Sequence, residues 1–540
     1  MTDHRFFRIL TSLFLVIFFV FLNQSLNGQN FSLQLLESIN HSASTQLNST
    51  IDDILEPWEG GPAYYSKWSN GPSTSANFFP IGVWLQNPQN ETSVVYKNMG
   101  INVYIGLWAG PTESQLTAVA KIPSVTFSDQ NFTGLTSANG SVIKSWIQTD
   151  EPDNAVSGTQ NPVPTDTIVA RYNKMTSNDI TRPVFMGLGQ GVAADFWYGR
   201  RNRTNHPEDY AQYAKGADIL CFDIYPMNTF DAPAGSASWK VNFYNSVKQK
   251  PWLVAYGVDR LRKWTNYSKP VWAWIECTNF NYNPAYALTP KIVKAEVWMA
   301  LIHGARGIGY FVHTITPFVE AGVLTNEPMR DGISSTNLQI ISLAPALNTP
   351  SVTNGFTVAS GNAEVIVDAM LKRYDGITYL FAVAMRPGTT NTTFTLRGFT
   401  GNRIIQVVGE NRTLQSVNGV FQDTFADYDV HLYKIDKPTG IGDNLNPPVN
   451  KLFQNQPNPF HQSTTISYQI AQHSKVKLSV YDVLGKRLIN LVDESKQPEK
   501  YETTFDATDL HSGVFICKIQ VSSSENSNIY SASQRMVLIK

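Results

Sequence analysis

Cysteine is nearly absent from this chain: Cys221, Cys277 and Cys517 are the only three in 540 residues. That excludes a disulfide scaffold, and no His/Cys spacing has the look of a zinc site. Charge is scarce too. Asp, Glu, Lys and Arg make up 16% of the residues, 42 basic against 43 acidic, for a net of −1. No field of either sign is available to recruit nucleic acid or anionic lipid, so neither is an expected partner. Long apolar runs are missing beyond the N-terminus. Aromatic surface, by contrast, is plentiful: 12% of residues, with 12 Trp and 23 Tyr. Such an excess suits flat binding surfaces as well as cores. The length calls for roughly three or four units, since one core rarely serves more than about 250 residues.

Residues 1–29 read as an address. Arg5 and Arg8 precede an apolar run over 9–22, followed by small and polar residues. The run is shorter than the roughly 20 residues of a spanning helix, which points to a cleaved signal peptide, with an uncleaved anchor as the alternative. Residues 30–75, rich in Ser, Asn and Gly, are expected as a lead-in that packs on the next domain.

From 78 onward the pattern alternates. Strand-length apolar runs fall at 79–86, 101–108, 122–127, 142–149, 182–188, 218–225, 271–278 and 307–313. Helical stretches at 94–99, 113–120, 166–177, 208–215, 242–261 and 290–303 separate them, and a helix at 336–347 closes the last unit. Near-continuous apolar strands imply a sheet covered on both faces, hence a parallel one. Eight such units over 76–348 match the size of a (β/α)8 TIM barrel. The alternative, a doubly wound open sheet, would want a glycine-rich phosphate loop after its first strand, and none is present.

The fourth strand runs into Thr149-Asp150-Glu151-Pro152-Asp153. Pro152 cannot continue a central strand, so Asp150 and Glu151 belong at its C-terminal lip, where parallel α/β folds open into a cleft. A solvated turn is the plainer reading, since Asp and Pro are ordinary turn residues. A second acid argues against it: Glu276 closes the seventh strand, on the same rim. Two carboxyls facing one another across a barrel mouth suit glycosidic bond cleavage. One gives a proton to the leaving oxygen and the other, ionised, meets the sugar carbon.

Asp150-Glu151-Pro152 on strand four with Trp274-Ile275-Glu276 on strand seven resembles glycoside hydrolase clan A over residues 76–345. The resemblance implies Glu151 as acid/base and Glu276 as nucleophile of a retaining double displacement. It also offers Tyr225, in Phe222-Asp223-Ile224-Tyr225-Pro226, as the tyrosine that hydrogen-bonds the nucleophile. Asp150 departs from the pattern, because the clan has mostly Asn there and an ionised Asp cannot donate to a sugar hydroxyl. Its charge beside Glu151 raises the pKa of the latter, which suits an acid.

Each residue has a plainer reading. Glu276 is alternatively a core acid ion-paired with Arg306. Tyr225 is alternatively core packing. Trp108 and Trp274 are expected at the rim as sugar-stacking surfaces, with barrel filling as the alternative for both, whereas Trp84 and Trp272 are expected as barrel filling. His313 and Gln86, closing strands eight and one, are further candidate substrate contacts, with a satisfied rim histidine as the alternative for His313. Cys277 should face away from Glu276 by strand alternation, as a small buried hydrophobe.

After the barrel, period-two runs at 356–359, 363–369, 376–385, 393–396, 403–408 and 430–435 predict a β-sandwich accessory domain over 349–437. Pro, Gly, Asn and Asp at 438–451 read as a linker. The segment 452–540 carries Leu452-Phe453-Gln454-Asn455-Gln456-Pro457-Asn458-Pro459-Phe460, then Val480-Tyr481-Asp482-Val483-Leu484-Gly485, then Met536-Val537-Leu538-Ile539-Lys540. This resembles the type IX secretion system C-terminal sorting domain, a small β-sandwich. The resemblance implies engagement of that secretion machinery and export across the outer membrane.

These readings converge on a secreted or surface-attached retaining glycoside hydrolase, monomeric, acting on a polysaccharide without metal or cofactor. The first rival is a catalytically inactive carbohydrate-binding or adhesive surface protein. An esterase or deacetylase on the same barrel ranks lower, because no Gly-x-Ser-x-Gly elbow or metal-binding His cluster stands out.

Overall fold

A computed structural model of the chain describes residues 53–56, 61–155, 161–280, 288–435, 450–470, 473–483, 485–497, 499–522 and 530–540. The expected signal peptide and nearly all of the expected linker lie outside the described residues. The chain divides into two compact units, the first covering 51–437 and the second containing 438–540. Among the described residues no helix is long and apolar enough to cross a membrane.

The first unit begins with the barrel. Its strands are β1 (Ile81–Trp84), β2 (Val103–Ile105), β3 (Val125–Ser128), β4 (Ile143–Ile147), β5 (Val184–Leu188), β6 (Ile219–Phe222), β7 (Ala273–Glu276) and β8 (Ile308–Phe311). They form one parallel sheet in the order β6-β5-β4-β3-β2-β1-β8-β7. A parallel bridge between Leu220 and Val271 joins its two edges, with the Trp272 amide donating to the Leu220 carbonyl at 2.7 Å. The ring is thus a TIM-type barrel. Val103, Ile105, Phe127, Ile147, Phe185, Ile219, Cys221, Trp272 and Trp274 fill its interior. Two glycines on the neighbouring strand make room for the indoles. A Cβ on Gly307 would fall 2.3 Å from the Trp272 ring, and one on Gly309 2.3 Å from Trp274. Tyr64 and Tyr65, from the helix Gly61–Tyr65, join the same cluster from the N-terminal end, where the Tyr64 hydroxyl donates to the Asp218 carbonyl at 2.9 Å.

The helical stretch expected as continuous over 242–261 is broken. Helices Ser238–Val247 and Leu253–Trp264 flank Pro251, which lacks the amide a continuous helix needs. The closing helix starts earlier than expected, at Glu327, where the Asn326 side chain caps it by accepting from the Met329 amide.

A short hairpin, β9 (Thr314–Ile315) and β10 (Phe318–Val319), precedes that helix. Eight antiparallel strands follow: β11 (Phe356–Ser360), β12 (Val367–Tyr374), β13 (Ile377–Ala384), β14 (Thr390–Leu396), β15 (Asn402–Val407), β16 (Arg412–Val417), β17 (Val420–Phe425) and β18 (Val430–Ile435). They pair as one sheet, in the order β11-β14-β17-β16-β15-β18-β13-β12, around a single core. Two strands exceed the sequence expectation. β16 and β17 form a hairpin about Asn418-Gly419, both at positive φ (50° and 79°), the conformation that Asn-Gly favours in a tight turn. The sheet packs on the helix Pro290–Ile302. Trp298 meets Phe381 at 5.2 Å, Lys291 pairs with Asp429 at 2.7 Å, and His303 pairs with Asp368 at 3.1 Å.

The second unit has two antiparallel sheets. One holds β19 (Lys451–Leu452), β20 (Ser463–Gln469) and β23 (Lys500–Asp506); the other holds β21 (Ser474–Tyr481), β22 (Arg487–Lys496), β24 (Gly513–Ser522) and β25 (Tyr530–Leu538). Alternating residues of both, among them Ile466, Tyr468, Phe505, Leu478, Ile519 and Met536, share one core, which makes the unit a sandwich.

Candidate active site

At the end of β4, Ile147 points into the barrel while Gln148 turns outward and donates to the carbonyls of Ile168 and Gly216. The chain then bends sharply. Glu151 has φ 39°, a left-handed conformation costly for a residue with a Cβ, and strain of this kind clusters at functional sites. Its amide donates to the Gly187 carbonyl at 3.1 Å, which ties the bend to β5. Asp153 holds the turn from beneath: one oxygen accepts from the Gly189 amide and the other from the Tyr210 hydroxyl, each at 2.8 Å. Asn154 donates to Glu151 Oε2 at 2.8 Å and accepts from Trp197 Nε1 at 2.5 Å, so its amide has one orientation only.

Three carboxyls meet at this lip. Asp150 is open to solvent, yet protein walls enclose it; burial, then the charges of Glu151, Asp153 and Asp129, push its pKa up to about 7. Burial raises Glu151 as well, opposed by hydrogen bonds from Asp223 and Asn154. Asp223, one residue beyond β6, is raised well above the carboxylate range by burial and by the charges of Glu151 and Asp150. Asp223 and Glu151 are in hydrogen-bond contact, and that bond raises Asp223 while it lowers Glu151, so Asp223 is the member whose acid form is favoured. The Tyr225 hydroxyl faces Asp223 from the other side, and its ring packs against Phe280 at 5.1 Å and Phe311 at 5.5 Å.

The lip of β7 is built differently. Glu276 is 0% exposed. Its oxygens accept from the Met227 amide at 2.6 Å, the Asn228 amide at 2.9 Å and Asn228 Nδ2 at 2.6 Å. Asn228 in turn accepts from the Phe280 amide and donates to the Thr278 carbonyl, which binds the loops after β6 and β7 into one cover. Behind Glu276 lies Glu296, fully buried, with neither oxygen hydrogen-bonded to a donor. Burial pushes Glu276 up to about 7 against the pull of those donors, and drives Glu296 well above its ordinary value with the Glu276 charge adding to it. In this second carboxyl pair Glu296 is the member whose acid form is favoured. Arg306 cannot be the partner considered for Glu276. It precedes β8, while Glu276 pairs in register with Phe311 at the far end of that strand.

The structure therefore brings Asp150, Glu151 and Tyr225 together and sets Glu276 apart beneath its cover. Tyr225 faces Asp223, and the charges acting on it are those of Asp223, Glu151 and Asp150. Trp108 is 45% exposed on the rim after β2. Trp274 is inside the barrel, packed edge-on to Trp84 at 5.4 Å, and offers no face to solvent. His313 is buried between Trp108, Phe311 and Phe318; burial lowers its pKa, and its Nδ1 has no hydrogen-bond partner. Gln86 is also buried. It donates to the Glu320 carbonyl at 2.8 Å and accepts from the Tyr96 hydroxyl at 2.7 Å, so its polar groups are already engaged within the fold. Cys277 is buried and donates to the Phe311 carbonyl.

Sequence reasoning passed over Asp223, Asn154 and Asn228. Asp223 had a usable signal, because it stands two residues before Tyr225 in an extended run and so shares its face. Asn228 had none, as a loop residue whose partner lies on another strand.

Residues 456–530 match the family model described as a secretion system C-terminal sorting domain, which supports export to the surface or beyond. Two β-galactosidases of Lactobacillus acidophilus, LacA and LacZ, are 28% identical to this chain over 107 residues. That stretch is 20% of this chain, and the chain spans 13% of the length of either relative. Among solved structures, a GH30 endoxylanase from Clostridium papyrosolvens C71 is similar at 11% identity, with 67% of this chain and 97% of that one covered and a TM-score of 0.37. An endo-β-1,4-mannanase from Thermotoga petrophila is similar at 10% identity, with 86% and 98% covered and a TM-score of 0.35.

Proposed function

We propose that this chain is an exported glycoside hydrolase that cleaves O-glycosidic bonds of a polysaccharide, with Glu151 as its proton donor. The observation that carries the reading is the strained, open lip of β4, where Glu151 is raised by burial and hydrogen-bonded to Asp223. A carboxyl that keeps a proton near neutrality is what protonation of a leaving oxygen requires. Asp223 is too close to Glu151 to be the nucleophile, because retaining enzymes need roughly 5 Å and inverting ones more between the two carboxyls. It acts instead through its hydrogen bond and charge: the bond draws Glu151 down and raises Asp223, while burial raises Glu151.

Glu276 is the proposed second carboxylate, as nucleophile of a retaining double displacement. Three N–H donors hold it in one orientation, and with Glu296 raised the further of the two it is the more readily ionised member of its pair. Attack requires the turn carrying Met227 and Asn228 to withdraw when substrate enters. Asp150, Tyr225, Trp108 and His313 would line the sugar. Trp274 and Gln86 would support them from within. The units proposed are the barrel at 76–348, an accessory β domain at 349–437 and a type IX sorting domain at 452–540.

The test is reducing-sugar release from a panel of polysaccharides by the full chain, beside Glu151→Gln and Glu276→Gln. Release by the wild type alone would establish the hydrolase and both glutamates. A product of inverted anomeric configuration would remove Glu276 from the nucleophile role while sparing the hydrolase. A second reading, an inactive carbohydrate-binding surface protein, is favoured by the complete burial of Glu276. Glycan binding without release by any of the three proteins would establish that one.

A further inference from the structure

Beyond the carboxylates, an aromatic surface leads away from Glu151. It starts at Asn154, whose two hydrogen bonds join Glu151 to the Trp197 indole. Trp197 packs on Tyr198 at 4.6 Å, and Tyr198 on Trp239 at 5.8 Å. Phe243 supports both Trp197 and Tyr198 from below, at 4.8 Å and 5.4 Å. The two segments come from neighbouring units of the barrel: the loop after β5, and the helix Ser238–Val247 after β6. The Ala155 amide bonds the Gly199 carbonyl at 2.7 Å, which fixes the loop to the β4 lip. Gly199 has to be glycine here, since a Cβ would fall 2.5 Å from the Trp197 ring.

Phe243 belongs to the barrel's core and Trp197 and Tyr198 pack against it, but the outer rings are not spent there. Trp239 is 53% exposed and Phe196, beside Trp197, is 41% exposed. Trp108 stands after β2, four strands from β6 in the ring, so exposed aromatics flank the Asp150–Glu151 lip on opposite sides. We propose that Phe196, Tyr198 and Trp239 form a binding shelf for one extended glycan chain, continuous with the carboxylate lip. The proposal rests on the reading of that lip as a glycosidase site and deepens it, because a shelf of this length suits an internal stretch of a polymer. Flat aromatic faces take up the C–H faces of sugar rings, and a chain without a strong charge field has little else with which to hold a neutral polymer.

The experiment is affinity electrophoresis of the full chain in native gels containing xylan, mixed-linkage β-glucan, laminarin or β-1,4-galactan, with reducing-sugar release measured on the same four. Wild type, Trp239→Ala, Trp239→Phe and Phe196→Ala are compared, with melting temperature as the check that each is folded. Retardation of the wild type in at least one gel is expected. Affinity should fall roughly tenfold in Trp239→Ala, less in Phe196→Ala, and should largely persist in Trp239→Phe. Equal retardation of Trp239→Ala and wild type, or retardation in none of the four gels, overturns the shelf. Release that is independent of Trp239 would overturn the shelf and leave the hydrolase standing. Trp239-dependent binding with no release would do the reverse.

Discussion

Two strand ends on one rim carry a glutamate each, and the structure treats them in opposite ways. Glu151 closes β4 in a strained backbone, open to the mouth, raised by burial and hydrogen-bonded to Asp223. Glu276 closes β7 in relaxed extended geometry, sealed by Met227 and Asn228, with Glu296 behind it. Each belongs to a hydrogen-bonded carboxyl pair with raised pKa values, but the environments differ. The β4 pair faces solvent, where its proton can be delivered. The β7 pair faces the core, where Glu296 is raised the further and the charge is favoured on the partner that has the hydrogen-bond donors. Hydrogen-bond donors account for the difference, since Glu276 has three N–H groups aimed at it and Glu296 has none.

The contrast can be broken most forcefully at Glu276. Glu276→Gln should lower kcat by roughly 10⁴-fold or more if it is the nucleophile, read by reducing-sugar release. Glu276→Ala should in addition lose stability, about 1–3 kcal/mol for each buried N–H left without an acceptor, measured by urea unfolding. A stable and active Glu276→Ala would assign the β7 lip to packing alone. Next comes Glu151→Gln, which removes the transferable proton and should lower kcat about 10²–10⁴-fold with the fold intact. Asp223→Asn sharpens the comparison without abolishing it. Losing the Asp223 carboxyl uncouples Glu151 from its partner and removes the upper titration step of the pair, so the alkaline limb of the kcat/KM profile should move to lower pH by about one unit or more. An unmoved limb would detach Asp223 from the chemistry.

The smallest effect is expected at Asp150. Its pKa is raised in the folded state to about 7, so its stabilising proton uptake is complete below the ordinary carboxylate range and is lost as pH rises through about 7. Asp150→Asn should therefore match the wild type near pH 4 and exceed it at pH 8, by up to about 1 kcal/mol because the side chain is open to water. Melting temperatures at the two pH values decide it.

Much of the barrel was legible because its signals are local. Strand-length apolar runs alternate with helices, and Pro152 marks the end of the fourth unit. Pro251 carries the same signal, parting two helices that the hydrophobic pattern runs together. In the following sheet the Asn418-Gly419 turn announced a hairpin that the hydrophobic pattern alone did not, because β16 and β17 show weak alternation. Trp274 shows the limit of position along a strand. It precedes the rim by two residues, which is enough for Trp84 and the glycine at 309 to draw its ring inside.

The sequence by itself determined which residues reach the rim. Strand period and strand end are written in the order of the chain, and so are the terminal motifs matched over 456–530. Tertiary structure alone decided which of those residues meet. Carboxyl pairing and amide capture act over a hydrogen bond's length, and Asp223 reaches Glu151, or Asn228 reaches Glu276, only once separate strands are rolled into one ring. Periodicity reports the face a side chain takes. Depth beneath that face, and the partner waiting there, belong to the closed barrel.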